Sequence, residues 1–183
     1  MNLQYGKPLK TGLDLASTDF VKLLSELLGR KFSGYVCVCV KGGQGIEEGT
    51  LFLDATAGRI VGATYTYMKH GVTVNGKPAF ERIMNATAAK QGVIDAYELD
   101  AEQVHLALAV NDDLIFVPDL QQLRGIKVEK FSVFYEQEIL KQAPAPKQNA
   151  ENLFKKFGIS GLAGGQEKPK NANVMGDLAR DAV

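Results

Sequence analysis

Cysteine and histidine are scarce in this chain, and net charge is missing. The 183 residues include 2 cysteines and 2 histidines, and 21 basic side chains balance 21 acidic ones. Cys37 and Cys39 stand two apart in Tyr35-Val36-Cys37-Val38-Cys39-Val40, so on a strand they share a face without being placed to bridge. The Cys-x-x-Cys spacing of a metal or redox pair does not occur, and the two read as small buried hydrophobes in a reduced compartment. His70 and His105 are far apart with no cysteine beside either, which leaves a zinc site without its ligand set. Zero net charge argues against strong nucleic-acid binding, which needs a basic footprint to release counterions from phosphates, and only the basic C-terminal tail keeps a weak version of that option open. No window approaches the roughly 18 apolar residues of a membrane span, and Met1 to Leu15 lacks the apolar run of a secretory signal. A cytoplasmic location is the expectation.

Phosphate-binding loops are missing too. Gly42-Gly43-Gln44-Gly45 with Gly49 invites comparison with a nucleotide loop. However, a dinucleotide fingerprint leads into a helix and a P-loop requires Gly-Lys-Ser/Thr. Here Glu47 and Glu48 follow, which repel phosphate, and then a strand pattern; the glycines are expected to close a hairpin. Acidic pairs at Glu47/Glu48, Asp95/Glu98, Asp100/Glu102 and Asp112/Asp113 fit strand alternation, helix caps and loop solvation better than acid-base pairs or a metal site. No catalytic residue, metal or cofactor is expected.

What is present is an ordinary globular composition, 45% hydrophobic and 23% charged, enough for one domain with a full core. Phe20, Leu23, Leu24, Leu27 and Leu28 recur at helical spacing between Ser17 and Gly29, with Ser17 or Thr18 as cap. Ser33 to Lys41 is apolar on both faces and so reads as a central strand. Thr50 to Asp54 and Arg59 to Tyr67 continue a meander. In the last of these, Val61, Ala63, Tyr65 and Tyr67 share one face, and Ile60, Gly62, Thr64 and Thr66 the other. Met68 to Asn75 reads as a polar connection, and Pro78 opens a helix with Phe80, Ile83, Met84 and Thr87 on one face, ended by Gly92. Val93 to Leu99 is strand-like. Asp100 and Gln103 form a capping box for the next helix. Leu114 to Val117 reads as a short strand and Lys127 to Tyr135 as a longer one, although Glu136 to Leu140 fits a helix equally well.

The expected fold is therefore α+β, a mostly antiparallel sheet with helices packed on one face, over residues 1–140. Residues 1–140 hold 14 basic and 17 acidic side chains, and residues 141–183 hold 7 and 4. That basic remainder begins with the linker Ala143-Pro144-Ala145-Pro146. A short helix over about 150–157 is expected next, followed by a disordered tail. Leu153, Phe154 and Phe157 meet on that short helix by i, i+3 and i+4 spacing. They are candidate partner contacts, with the chain's own domain and an anionic membrane surface as competing targets. Tyr65 and Tyr67 are candidates as well, since aromatics after Arg59 could stack on bases or meet a partner, against the alternative of core packing.

The order Phe32-Ser33-Gly34-Tyr35, Glu48-Gly49-Thr50-Leu51-Phe52-Leu53-Asp54, Gly58-Arg59-Ile60-Val61-Gly62-Ala63 and Gly92-Val93-Ile94-Asp95 resembles a small uncharacterised archaeal family. More distantly it resembles the N-terminal domain of PatA-type bacterial regulators. The resemblance implies an α/β sensory or scaffolding module near signalling machinery and transfers no active site. The chain differs from those regulators in having no obvious receiver domain attached and in carrying its own basic tail. The expected function is a non-enzymatic adaptor that binds a protein partner, with a homodimer as a further option. The alternatives are a small-molecule or nucleotide-binding regulatory domain and an enzyme whose site forms only at a dimer interface.

Overall fold

Long apolar alternation builds the middle of a sheet. The computed structural model describes residues 5–118 and 130–142, all within the unit Met1–Ala143. Its strands are β1 (Lys7–Asp14), β2 (Gly34–Lys41), β3 (Ile46–Asp54), β4 (Arg59–Tyr67), β5 (Val72–Asn75) and β6 (Gly92–Glu98). They form one 6-stranded sheet in the order β1-β6-β2-β3-β4-β5, with every pairing antiparallel. β2 to β5 form a continuous meander. β6 returns to the free edge of β2, and β1 closes the far side.

The helices are α1 (Phe20–Gly29), α2 (Gly76–Ala86), α3 (Ala101–Ala109) and α4 (Phe134–Gln142). α1 starts at Asp19, whose side chain accepts from the Lys22 amide at 2.9 Å; the cap is one residue beyond the Ser17 or Thr18 read from sequence. The Asp100–Gln103 capping box of α3 is formed in both directions. α1 and α2 bury Phe20, Leu24, Leu27, Phe80 and Ile83 against Val36, Val38, Leu51 and Ile94. Each such side chain contributes about 1.5–3 kcal/mol by leaving water. α3 lies on the opposite face, where Val104 and Leu108 pack with Tyr35, Phe52 and Val61. The helices therefore cover both faces, which corrects the one-face expectation: the sheet's second face is itself apolar at Tyr35 and Phe52 and needs its own cover.

Other local readings also change. The face assignment in β4 switches at a bulge, where Phe52 pairs with Gly62 but Leu53 with Ile60. The extra residue rotates the strand, so Ile60 joins Ala63, Tyr65 and Tyr67 in the main core while Val61 joins the α3 cluster. Val72–Asn75, read as a connection, pairs with the end of β4. Leu114 to Val117 is not a strand. A 3-10 turn covers Asp112–Leu114, and a single bridge joins Ile115 to Gly62 along the β4 edge beyond β5. Residues 130–133 are not in a strand, and α4 begins at Phe134, so the strand expected over 127–135 is absent from its described part. Among the described residues no helix is long and apolar enough to cross a membrane. The linker, the helix over about 150–157 and the tail lie outside the described residues.

Candidate functional site

Strand alternation puts Glu47 on the same face as Leu51 and Leu53, which forces a carboxylate towards the core. Such a charge must find a partner, and α2 supplies one. Arg82 donates to Glu47 Oε2 from Nη2 at 2.6 Å and from Nε at 3.1 Å. The Tyr65 hydroxyl donates to the same oxygen at 2.6 Å. The Arg82 and Glu47 side chains are 1% and 2% exposed. Gly49 makes this approach feasible, because a Cβ there would lie 2.8 Å from Tyr65 Cδ2 and closer still to Ile83.

The other side of the guanidinium grips a separate piece of chain. Arg82 Nη1 donates to the Ser132 carbonyl at 2.7 Å and to Asn85 Oδ1 at 2.8 Å. Asn85 Oδ1 also accepts from the Ser132 amide at 3.0 Å, while its Nδ2 donates to the Lys130 carbonyl at 3.1 Å. Four rings surround the cation: Phe131 at 4.5 Å, Tyr135 at 5.3 Å, Tyr65 at 5.5 Å and Tyr67 at 5.8 Å. At about 0.5–2 kcal/mol each, such contacts are comparable to hydrogen bonds. Glu136, buried, meets His70 Nε2 at 3.0 Å. One seat, built by β3, β4 and α2, thus reads the main chain and side chains of residues 130–136.

Two polar atoms in this seat have no hydrogen-bond partner among the described residues, Glu47 Oε1 and the Tyr67 hydroxyl. Their residues are direct cross-strand partners. An unmet buried group costs about 1–3 kcal/mol. Burial pushes the Tyr67 hydroxyl up to about 12, against the lowering effect of Arg82. Burial raises Tyr65 further, with Arg82 opposing and the Glu47 hydrogen bond and charge adding to the rise. Both phenols stay protonated at neutral pH. The arrangement holds residues 130–136 of the same chain.

The glycine turn roofs the same place. A Cβ at Gly42 would overlap the Glu47 carboxylate, and one at Gly43 would lie 3.1 Å from Glu136 Oε2. Beside the turn an apolar rim, Ile46, Met68, Val133 and Phe134, is 41–67% exposed.

Of the candidate partner residues read from sequence, Tyr65 and Tyr67 are buried at 0% and 2% exposure, on the core side, with their rings edge to face at 5.3 Å. They line the seat and present no ring to solvent. Leu153, Phe154 and Phe157 lie outside the described residues. Sequence reasoning missed Glu47, Arg82, Asn85 and His70 as a group. The available signal was Glu47 in phase with Leu51 and Leu53. His105 pairs with Asp54 at 2.8 Å on the other face. Burial raises Asp54, but bonds from His105 and the Thr56 and Ala57 amides outweigh it and leave the carboxyl below its ordinary value. Cys37 is pushed up to about 11 by burial, only partly offset by Thr50. No group of three or more metal-ligating side chains gathers among the described residues.

No curated protein and no solved structure matches the chain. A family model described as "Uncharacterized protein conserved in archaea (DUF2226)" matches residues 1–111, which include the whole sheet and every seat residue from Glu47 to Asn85 but not the gripped segment. With more than half its length matched, the chain belongs to this archaeal family.

Proposed function

We propose that the chain is a non-enzymatic cytoplasmic adaptor whose domain holds a protein partner, possessing no chemistry of its own. The observation that carries this reading is the double grip on residues 130–136. Asn85 and Arg82 bind main-chain groups while the Arg82 guanidinium lies over the rings of Phe131 and Tyr135. Peptide-recognition domains divide affinity and specificity in this way. The distant resemblance of the motif order to the N-terminal domain of PatA-type regulators enters this proposal as a scaffold acting beside signalling machinery. Leu153, Phe154 and Phe157 are a second proposed contact, since the helix expected from sequence over about 150–157 is too short to stand alone and would gain by docking three apolar side chains.

The test is purification of the full chain from its native host, in parallel with the variant carrying Phe154→Ala and Phe157→Ala. A protein recovered in fixed proportion with the wild type and depleted with the variant supports the adaptor. The competing reading, a small-molecule or nucleotide regulator, predicts no such protein. It predicts instead a melting shift with a metabolite or nucleotide, about 2.7 kcal/mol of stabilisation at 100 times Kd, and that pair of results would overturn the proposal.

A further inference from the structure

We infer that the Arg82 seat is a peptide-binding site for a partner segment with an aromatic residue at its first position and an aromatic-acidic pair four and five residues on, and that residues 130–136 occupy it as an internal ligand. This rests on the adaptor reading and names its binding place. Phe131, Tyr135 and Glu136 define the pattern: two rings on the guanidinium, and an acid on His70.

Three observations make the occupant exchangeable. The grip is confined to a few side chains, and Val133 and Phe134 between them ride at the surface. The ion pair and the phenol bond of Glu47–Arg82–Tyr65 lie within β3, β4 and α2 and use no atom of the segment. The segment also leaves Glu47 Oε1 and the Tyr67 hydroxyl unpartnered among the described residues. Glu47 Oε1 lies beneath the Gly42 turn, so the gain open to a partner is at the Tyr67 hydroxyl, where an acceptor would fit better than the internal ligand. A partner needs that advantage, because a tethered competitor acts at high effective concentration.

The probe is a labelled peptide with the sequence of Lys130–Gln142, titrated into the full chain by fluorescence anisotropy. Wild type should bind it weakly, and the variant Phe131→Ala with Tyr135→Ala, whose internal ligand is weakened, about tenfold or more tightly. Adding Asn85→Ala to that variant should weaken the probe about fivefold, since Asn85 contacts main chain whatever the side chains. If the double variant keeps a cooperative melt and neither protein binds the probe, the inference is overturned. Dimer formation that grows with protein concentration in place of probe binding assigns the seat to a second copy and also overturns it. Should the double variant not fold, amide exchange on the wild type decides. Residues 130–142 opening more readily than residues 34–67 supports an exchangeable ligand, and equal protection makes the segment part of the core and removes the site. Recovery of a partner from the host while the probe fails leaves the adaptor standing and withdraws only this seat.

Discussion

Glu47 and Arg82 show what one buried charge demands of its neighbours. Glu47 Oε2 accepts from Arg82 twice and from Tyr65 once, while Oε1 accepts from none of the described residues. The carboxylate is satisfied on one side only. Removing it leaves a guanidinium buried among rings, so Glu47→Ala should cost about 3–5 kcal/mol in urea unfolding. A double change, Glu47→Gln with Arg82→Met, should cost less than the two single changes added together, because the partners share one interaction. A loss below about 1 kcal/mol for Glu47→Ala would mean the pair is solvated.

The phenols give a pH signature at the same scale. Tyr65 and Tyr67 are raised above the ordinary 10.0 chiefly by burial. Above pH 10 the unfolded chain loses phenolic protons that the folded chain keeps, so unfolding releases protons and stability falls as pH rises from there. Ultraviolet titration should show these tyrosines ionising only as the fold is lost, and Tyr65→Phe should flatten the alkaline fall. Asp54 has the opposite sign. Its lowered carboxyl contributes stability that is present above the ordinary 3.8 and is lost as pH falls through the folded value. His105→Ala should therefore move the acid unfolding midpoint upward.

Among the elements, those with a strong local signal are also the easiest to perturb predictably. The α3 capping box satisfies both ends of the Asp100–Gln103 pair, and Asp100→Ala should cost about 1 kcal/mol by thermal unfolding. The hairpin between β2 and β3 was legible as a turn from Gly42-Gly43-Gln44-Gly45, but the structure gives Gly42 a second duty beneath which Glu47 lies. Gly42→Ala must push the carboxylate off its partners, and a loss of about 1–3 kcal/mol is expected. β1 and β5 escaped sequence reading for opposite reasons. β1 is exposed on most of its length and shows no apolar alternation, whereas β5 is only 4 residues long and hides in a polar stretch. Both are defined by the neighbour they pair with, and edge strands carry little pattern of their own.

At the scale of the whole molecule, the existence of the meander β2–β4, α1, the Pro78 helix and the α3 cap follows from periodicity and capping within short windows, because side-chain spacing sets which residues share a face until a bulge such as that in β4 shifts it. That was enough for an antiparallel α+β domain and for the family resemblance. Three features needed the tertiary structure. β6 takes the free edge of β2 and admits β1 beyond it, a choice between edges that look alike locally. α3 crosses to the second face because Tyr35 and Phe52 require cover there, a need that arises only once the first face is full. Glu47 meets Arg82 across 35 residues, and His70 meets Glu136 across 66; no local spacing encodes either pair. Sequence wrote the faces of the elements, and the tertiary fold chose which faces meet, because a buried charge or an unpaired edge is satisfied only by a partner that chain closure brings into reach.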